Sequence, residues 1–131
     1  ELDLDFLSNR NSPDYALLKI KGQPQQQITQ LVSATLDAYQ EICLIHHPQG
    51  GYVEIADWGQ ILQVGEDYIS HNLRTDEGSS GAPIFDRQWQ LIAIHRGNPG
   101  IGRSIEPGTM EGVPIRAIWN QIQPYLAEER E

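Results

Sequence analysis

The sequence predicts an all-β domain that ends in a helix, and three features carry that expectation. Its longest apolar runs, such as Leu91-Ile92-Ala93-Ile94, have the length of a strand. Glycine and proline, 12 and 8 of the 131 residues, interrupt these runs at close intervals. Short strands separated by turn residues at such spacing favour a barrel or a sandwich. Third, residues 119–126 read as one closing helix ahead of a charged tail.

Taken in order, residues 1–11 are acidic and polar, with Leu2, Leu4, Phe6 and Leu7 giving a partly alternating start. Residues 9–13, dense in Asn, Ser and Pro, read as a turn. Tyr15–Ile20 is an apolar run consistent with a buried strand; Gly22 and Pro24 break it, and a glutamine-rich connection follows. Residues 31–39 have weak helical spacing and are equally compatible with an irregular excursion. Glu41–His46 is strand-like, and His47-Pro48-Gln49-Gly50-Gly51 is a tight turn. Residues 52–55, 61–64 and 68–70 suggest further strands, with Gly59 and Gly65 in the gaps. Residues 84–85 and 91–94 read as two strands joined around Asp86-Arg87-Gln88, and a loop rich in Gly and Pro covers 97–107. Residues 113–118 form a last strand or the entrance to the helix. No internal repeat or low-complexity linker divides the chain.

The length is that of one domain, with enough residues for a sizeable core. A net charge of −9 argues against binding nucleic acid or an anionic membrane surface, and no apolar run is long enough to span a bilayer. No signal peptide is visible. The single cysteine, Cys43, allows no intrachain disulfide, which leans towards a reducing, cytoplasmic setting; secreted enzymes without disulfides keep the other location open.

The most informative stretch is Thr75-Asp76-Glu77-Gly78-Ser79-Ser80-Gly81-Ala82-Pro83, which sets two serines between glycines just before an apolar run. Glycine suits backbone that must turn sharply or approach a ligand. A hydroxyl on such a turn can share its space with backbone N–H groups, and acyl transfer needs that pairing of nucleophile and oxyanion donors. The stretch resembles the nucleophile loop of trypsin-like (chymotrypsin-fold) serine proteases. The resemblance implies Ser80 as nucleophile and the N–H groups of Gly78 and Ser80 as oxyanion donors. A Gly-x-Ser-x-Gly elbow is a rival, but Ala82 stands where its last glycine belongs and no strand–turn–helix pattern follows. Ser79 occupies a position that is aspartate in digestive trypsins, which suggests that their zymogen switch is absent.

Asp14, directly ahead of Tyr15-Ala16-Leu17-Leu18, sits at the mouth of a strand; after Pro13 it also has the makings of a turn aspartate. The run resembles the motif that supplies the triad aspartate in the same proteases, where the carboxylate orients a histidine. Gly112-Val113-Pro114-Ile115-Arg116-Ala117-Ile118 is similar to the closing segment of bacterial trypsin-like peptidase domains. His95 lies fifteen residues after Ser80 and Thr75 five before it, offsets that resemble the glutamyl endopeptidase branch. There an equivalent His and Thr bind an acidic P1 side chain, with Arg74, Arg96 and Gly97 completing the walls here and either arginine able to assist. The alternative for His95 is an exposed ring ending a strand. His46 and His47, being adjacent, point to opposite faces of a strand, and His71 reads as structural. No spacing supports a zinc or calcium site, and no cofactor is expected.

The resemblance implies a chymotrypsin-like double β-barrel in which residues 1–22 end the first barrel, 23–118 make the second, and 119–131 form the closing helix and tail. It also implies a catalytic histidine ahead of the aspartate, yet none of the thirteen residues before Asp14 is histidine. The expectation is therefore a two-chain enzyme, with autocleavage as one route to it. A separate amino-terminal fragment would bring the base, and a peptide or protein would be the substrate. The competing expectation is a pseudoprotease that keeps the fold as a peptide-binding scaffold.

Overall fold

A computed structural model of the chain describes residues 2–9, 14–22, 31, 33–98 and 108–128, with backbone alone at 2–9 and at 127 and 128. The described elements are β1 (Leu2–Asn9), β2 (Tyr15–Ile20), β3 (Glu41–His46), β4 (Glu54–Ile55), β5 (Gly59–Val64), β6 (Ile69–His71), β7 (Pro83–Phe85), β8 (Leu91–Gly97), β9 (Met110–Pro114) and α1 (Ile115–Glu128). A 3-10 turn, Pro48–Gly50, follows β3.

Hydrogen bonding runs in the order β3-β5-β6-β9-β8-β7 and returns from β7 to β3, so these six strands close into a barrel. Closure removes the unpaired edges that an open sheet would expose. β4 hangs outside the ring on the end of β3. Ile42, Leu44, Ile61, Ile69, Ile84 and Ile92 fill the interior with Leu36, Leu73 and Ala93. Gly112 in β9 keeps this interior tight, since a Cβ there would meet Ile84 Cδ1 at 3.0 Å and Ile94 O at 3.1 Å. In β3 the residues Ile42, Cys43 and Leu44 are all buried, as in a strand covered on both faces. Burial also pushes the Cys43 thiol up from its ordinary 9.0.

The helix begins at Ile115, earlier than the 119 expected, and Ile115, Ile118 and Ile122 recur at helical spacing on its buried face. That face packs with Val113 and Tyr15, against partly buried Leu17, Leu31 and Ile94. The Tyr15 hydroxyl donates to Gln121 Oε1, and the Arg116 guanidinium donates to the Gly65 carbonyl at 2.6 Å. Helix and barrel thereby grip the start of β2. Its remainder leaves the barrel: β1 and β2 pair as a separate antiparallel ribbon, with Leu18 and Ile20 exposed. The expected burial of this strand holds for Tyr15 and in part for Leu17, and β2 leaves the core beyond them. Residues 33–37 are irregular, and Leu31 makes an isolated parallel bridge to Leu91. The expected turn at 9–13 falls on residues 10–13, and the Gly/Pro loop largely on 99–107, outside the described residues. Among the described residues no helix is long and apolar enough to cross a membrane.

Candidate active site

The serine loop runs from the end of the segment after β6 into β7. It turns on two glycines with positive φ, Gly78 (+89°) and Gly81 (+87°), conformations that only glycine adopts without strain. Its upstream arm is fixed to the 3-10 turn by Gln49 N–H donating to Glu77 O at 2.9 Å. Its downstream arm is fixed to β8: Gly81 N–H donates to His95 O at 2.7 Å and His95 N–H to Ala82 O at 2.8 Å. Between these clamps Ser79 N–H donates to Asp76 O at 3.1 Å and Ala82 N–H to Ser79 O at 3.0 Å. Among the described residues, the N–H groups of Gly78 and Ser80 meet no backbone or side-chain acceptor. Both are therefore available to a ligand oxygen.

Ser80 is exposed, and its hydroxyl donates to the carbonyl of Arg96 at 3.0 Å. That carbonyl reaches it because β8 carries a bulge: His95 pairs with Gly112 and Gly97 with Glu111, which leaves Arg96 as the extra residue. The same residue turns its guanidinium to two carboxylates, Asp14 Oδ2 at 3.8 Å from Nε and Glu111 Oε1 at 3.5 Å from Nη1. Asp14, at the foot of β2, is 65% exposed and Glu111 is buried. Nucleophile candidate and orienter candidate thus converge on Arg96. Its guanidinium is engaged with Asp14 and Glu111, so it does not stand as an unclaimed cation for an acidic substrate.

His95 is 3% exposed, which rules out the solvated ring that ends a strand. Leu73 N–H donates to His71 Nδ1 at 3.1 Å, so His71 carries its proton on Nε2 and gives it to His95 Nδ1 at 3.0 Å. His95 therefore holds its own proton on Nε2. Burial, reinforced by the neighbouring His95, pushes His71 down from 6.5 to about 3. Burial and then His46 push His95 down to about 4. Both rings are neutral at pH 7. Among the described residues no acceptor meets His95 Nε2, and no side-chain nitrogen there is both buried and unpaired, so this N–H faces accessible space. Thr75 is half-buried, Arg74 exposed, and Gly97 lies beside Ser80, where an added Cβ would stand 3.6 Å from the hydroxyl.

Read from sequence, His46 and His71 have no part in the site, with His71 structural, and Glu111 is not singled out. His46 is buried, with Nδ1 2.8 Å from the Ser79 hydroxyl, whereas His47 is exposed on the other face and bonds Gly51 O. A signal existed: His46 shares the parity of Ile42 and Leu44, and His71 that of Ile69, so both point with the core. Among the described residues no group of His, Cys, Asp or Glu is arranged to hold a metal ion.

A six-stranded closed barrel with a carboxy-terminal helix, carrying a serine on a glycine turn, is the chymotrypsin-like fold of the serine proteases. The chain belongs to the trypsin-like peptidase domain family, whose model matches residues 3–94. Among solved structures it is similar to the inactive form of the Rv3671c protease (TM-score 0.69, 16% identity, 92% of this chain and 65% of that one). A serine-to-alanine mutant of Rv3671c from M. tuberculosis, also inactive, matches at TM-score 0.69 and 15% identity, covering 94% of this chain and 64% of that one. The active form of the M. tuberculosis protease matches at 0.67 and 16%, covering 84% and 52%. The chain thus spans between 52% and 65% of the length of these structures. No curated protein matches it.

Proposed function

We propose that this chain is the nucleophile-bearing part of a serine endopeptidase. Ser80 attacks the scissile carbonyl, the N–H groups of Gly78 and Ser80 hold the resulting oxyanion, and Asp14 orients a histidine base. That histidine comes from a segment preceding this sequence, because His46, His47, His71 and His95 all follow Asp14 and none meets Ser80 or Asp14 among the described residues. The observation that carries the reading is the convergence of the Ser80 hydroxyl and the Asp14 carboxylate on the two ends of Arg96. The base takes the serine proton on attack and returns it to the leaving amine. The exposed Leu18 and Ile20 of the β1–β2 ribbon offer the incoming segment an apolar seat.

An acidic P1 preference fits the His71–His95 pair. A neutral His95 with its proton on Nε2 donates to a carboxylate without first having to gain a proton, and the Thr75 hydroxyl supplies a second donor. In the enzyme assembled with its preceding segment, peptides with Glu at P1 should be cut at least tenfold faster than the Gln equivalents, and Thr75→Val should narrow that ratio. Equal rates for Glu and Gln would refute the preference.

The lack of any described histidine on Ser80 or Asp14 favours a second reading, a pseudoprotease that binds peptides through the same cleft. Turnover in the assembled protein that vanishes in Ser80→Ala supports the enzyme. Peptide binding without turnover in either form supports the scaffold.

A further inference from the structure

Ser79 lies between the two backbone donors, Gly78 N–H and Ser80 N–H, and is only 1% exposed. Its hydroxyl turns inward to His46 Nδ1 at 2.8 Å and also accepts the Asp76 N–H at 3.3 Å. A hydroxyl has one proton. With two lone pairs beside that proton, the oxygen takes the Asp76 N–H and can still either donate to Nδ1 or accept from it, according to the His46 tautomer.

The glycines explain why this bond matters. Gly78 and Gly81 are the two soft joints of the loop, and neither carries a side chain to anchor. Between them stand only Ser79 and Ser80. The Ser80 hydroxyl rests on the Arg96 carbonyl and must leave it to react. Of the two hydrogen bonds that the Ser79 hydroxyl makes, the one from Asp76 stays within the loop, and the one with His46 ties the stretch between the joints to the barrel and can persist through the reaction. His46 can bear that load because it is the last residue of β3 and buried against the barrel.

We propose that the His46–Ser79 hydrogen bond holds the oxyanion donors in register, which makes His46 a positioning residue. The inference rests on the serine-peptidase reading of the site. Donors to an oxyanion act within a narrow range of about 2.7–3.1 Å and contribute mainly in the transition state. A misplacement of about 1 Å can cost about a hundredfold. Loss of the tie therefore falls on kcat and spares KM.

Two measurements test it. In the chain itself, Ser79→Ala should speed hydrogen exchange at the amides of Gly81 and Ala82, which follow Ser80, by about tenfold, while the Gly65 amide, bonded to Tyr68 O at 2.8 Å, keeps its rate. In the assembled enzyme, Ser79→Ala and His46→Leu should each lower kcat about 10- to 100-fold with KM changed less than about threefold. The double variant should be no worse than the poorer single one, because both remove the same bond. His46→Asn, which sets an amide near the Nδ1 position, should recover most of the loss. Additive losses, losses in KM, or unchanged exchange would each overturn the proposal. If the wild-type assembly turns over no peptide, the peptidase reading fails, and the exchange rates alone decide whether the tie exists.

Discussion

In the enzyme assembled with its base-bearing segment, Asp14→Asn is expected to lower kcat about ten-thousandfold and leave KM nearly unchanged, the loss associated with a triad aspartate in general. In the proposed mechanism the carboxylate accepts a hydrogen bond from the histidine Nδ1–H and fixes the tautomer whose Nε2 can take the proton from Ser80. An amide presents N–H to the same nitrogen and favours the wrong tautomer. The fold should not notice the change. Asp14 is 65% exposed and 3.8 Å from Arg96 Nε, and an exposed pair at that distance is worth less than about 1 kcal/mol. Steady-state kinetics alongside a thermal melt checks both halves. A loss below about tenfold would remove Asp14 from the mechanism, and a collapsed melting temperature would make its role structural.

Acid is expected to destabilise the chain through His71 and His95. Both rings are buried, and their native protonation is displaced from 6.5 to about 3 and about 4. The unfolded chain takes up these protons near 6.5 and the native chain resists them, so the unfolded state binds more protons between those values. Stability is then fully present above about pH 6.5 and falls as the pH drops, by about 1.4 kcal/mol per pH unit for each extra proton bound. Below the lowered values the slope levels off. Against a total of about 5–15 kcal/mol for an ordinary domain this is a large effect. Urea midpoints at pH 7, 6, 5 and 4 measure it, and His71→Gln should reduce the slope by about one proton. A midpoint that is flat between pH 7 and 5 would contradict the depressed values.

Features written in local sequence were legible before the fold was known. The serine loop depends on glycines at fixed offsets, and β3 and β8 depend on apolar runs; all three stand where the sequence points. The helix start is hard to read because Val113-Pro114-Ile115 is apolar throughout, and only the register of β9 against β8, which runs to Pro114, shows where strand ends and helix begins. The exposure of β2 was hidden because an apolar run does not say whether a barrel closes around it. The site contacts that were missed are all non-local. His46 meets Ser79 across 33 residues and His71 meets His95 across 24. The engagement of Arg96 by Asp14 and Glu111 follows from a bulge that no local pattern announces.

The proposed division of the catalytic machinery between this chain and a preceding segment is tested most directly by fluorophosphonate labelling of Ser80. The expected result is that residues 1–131 alone label no faster than Ser80→Ala, and that adding the preceding histidine-bearing segment raises the rate to a saturating maximum. Rapid labelling of the chain alone, or none at any ratio of the two, would contradict it.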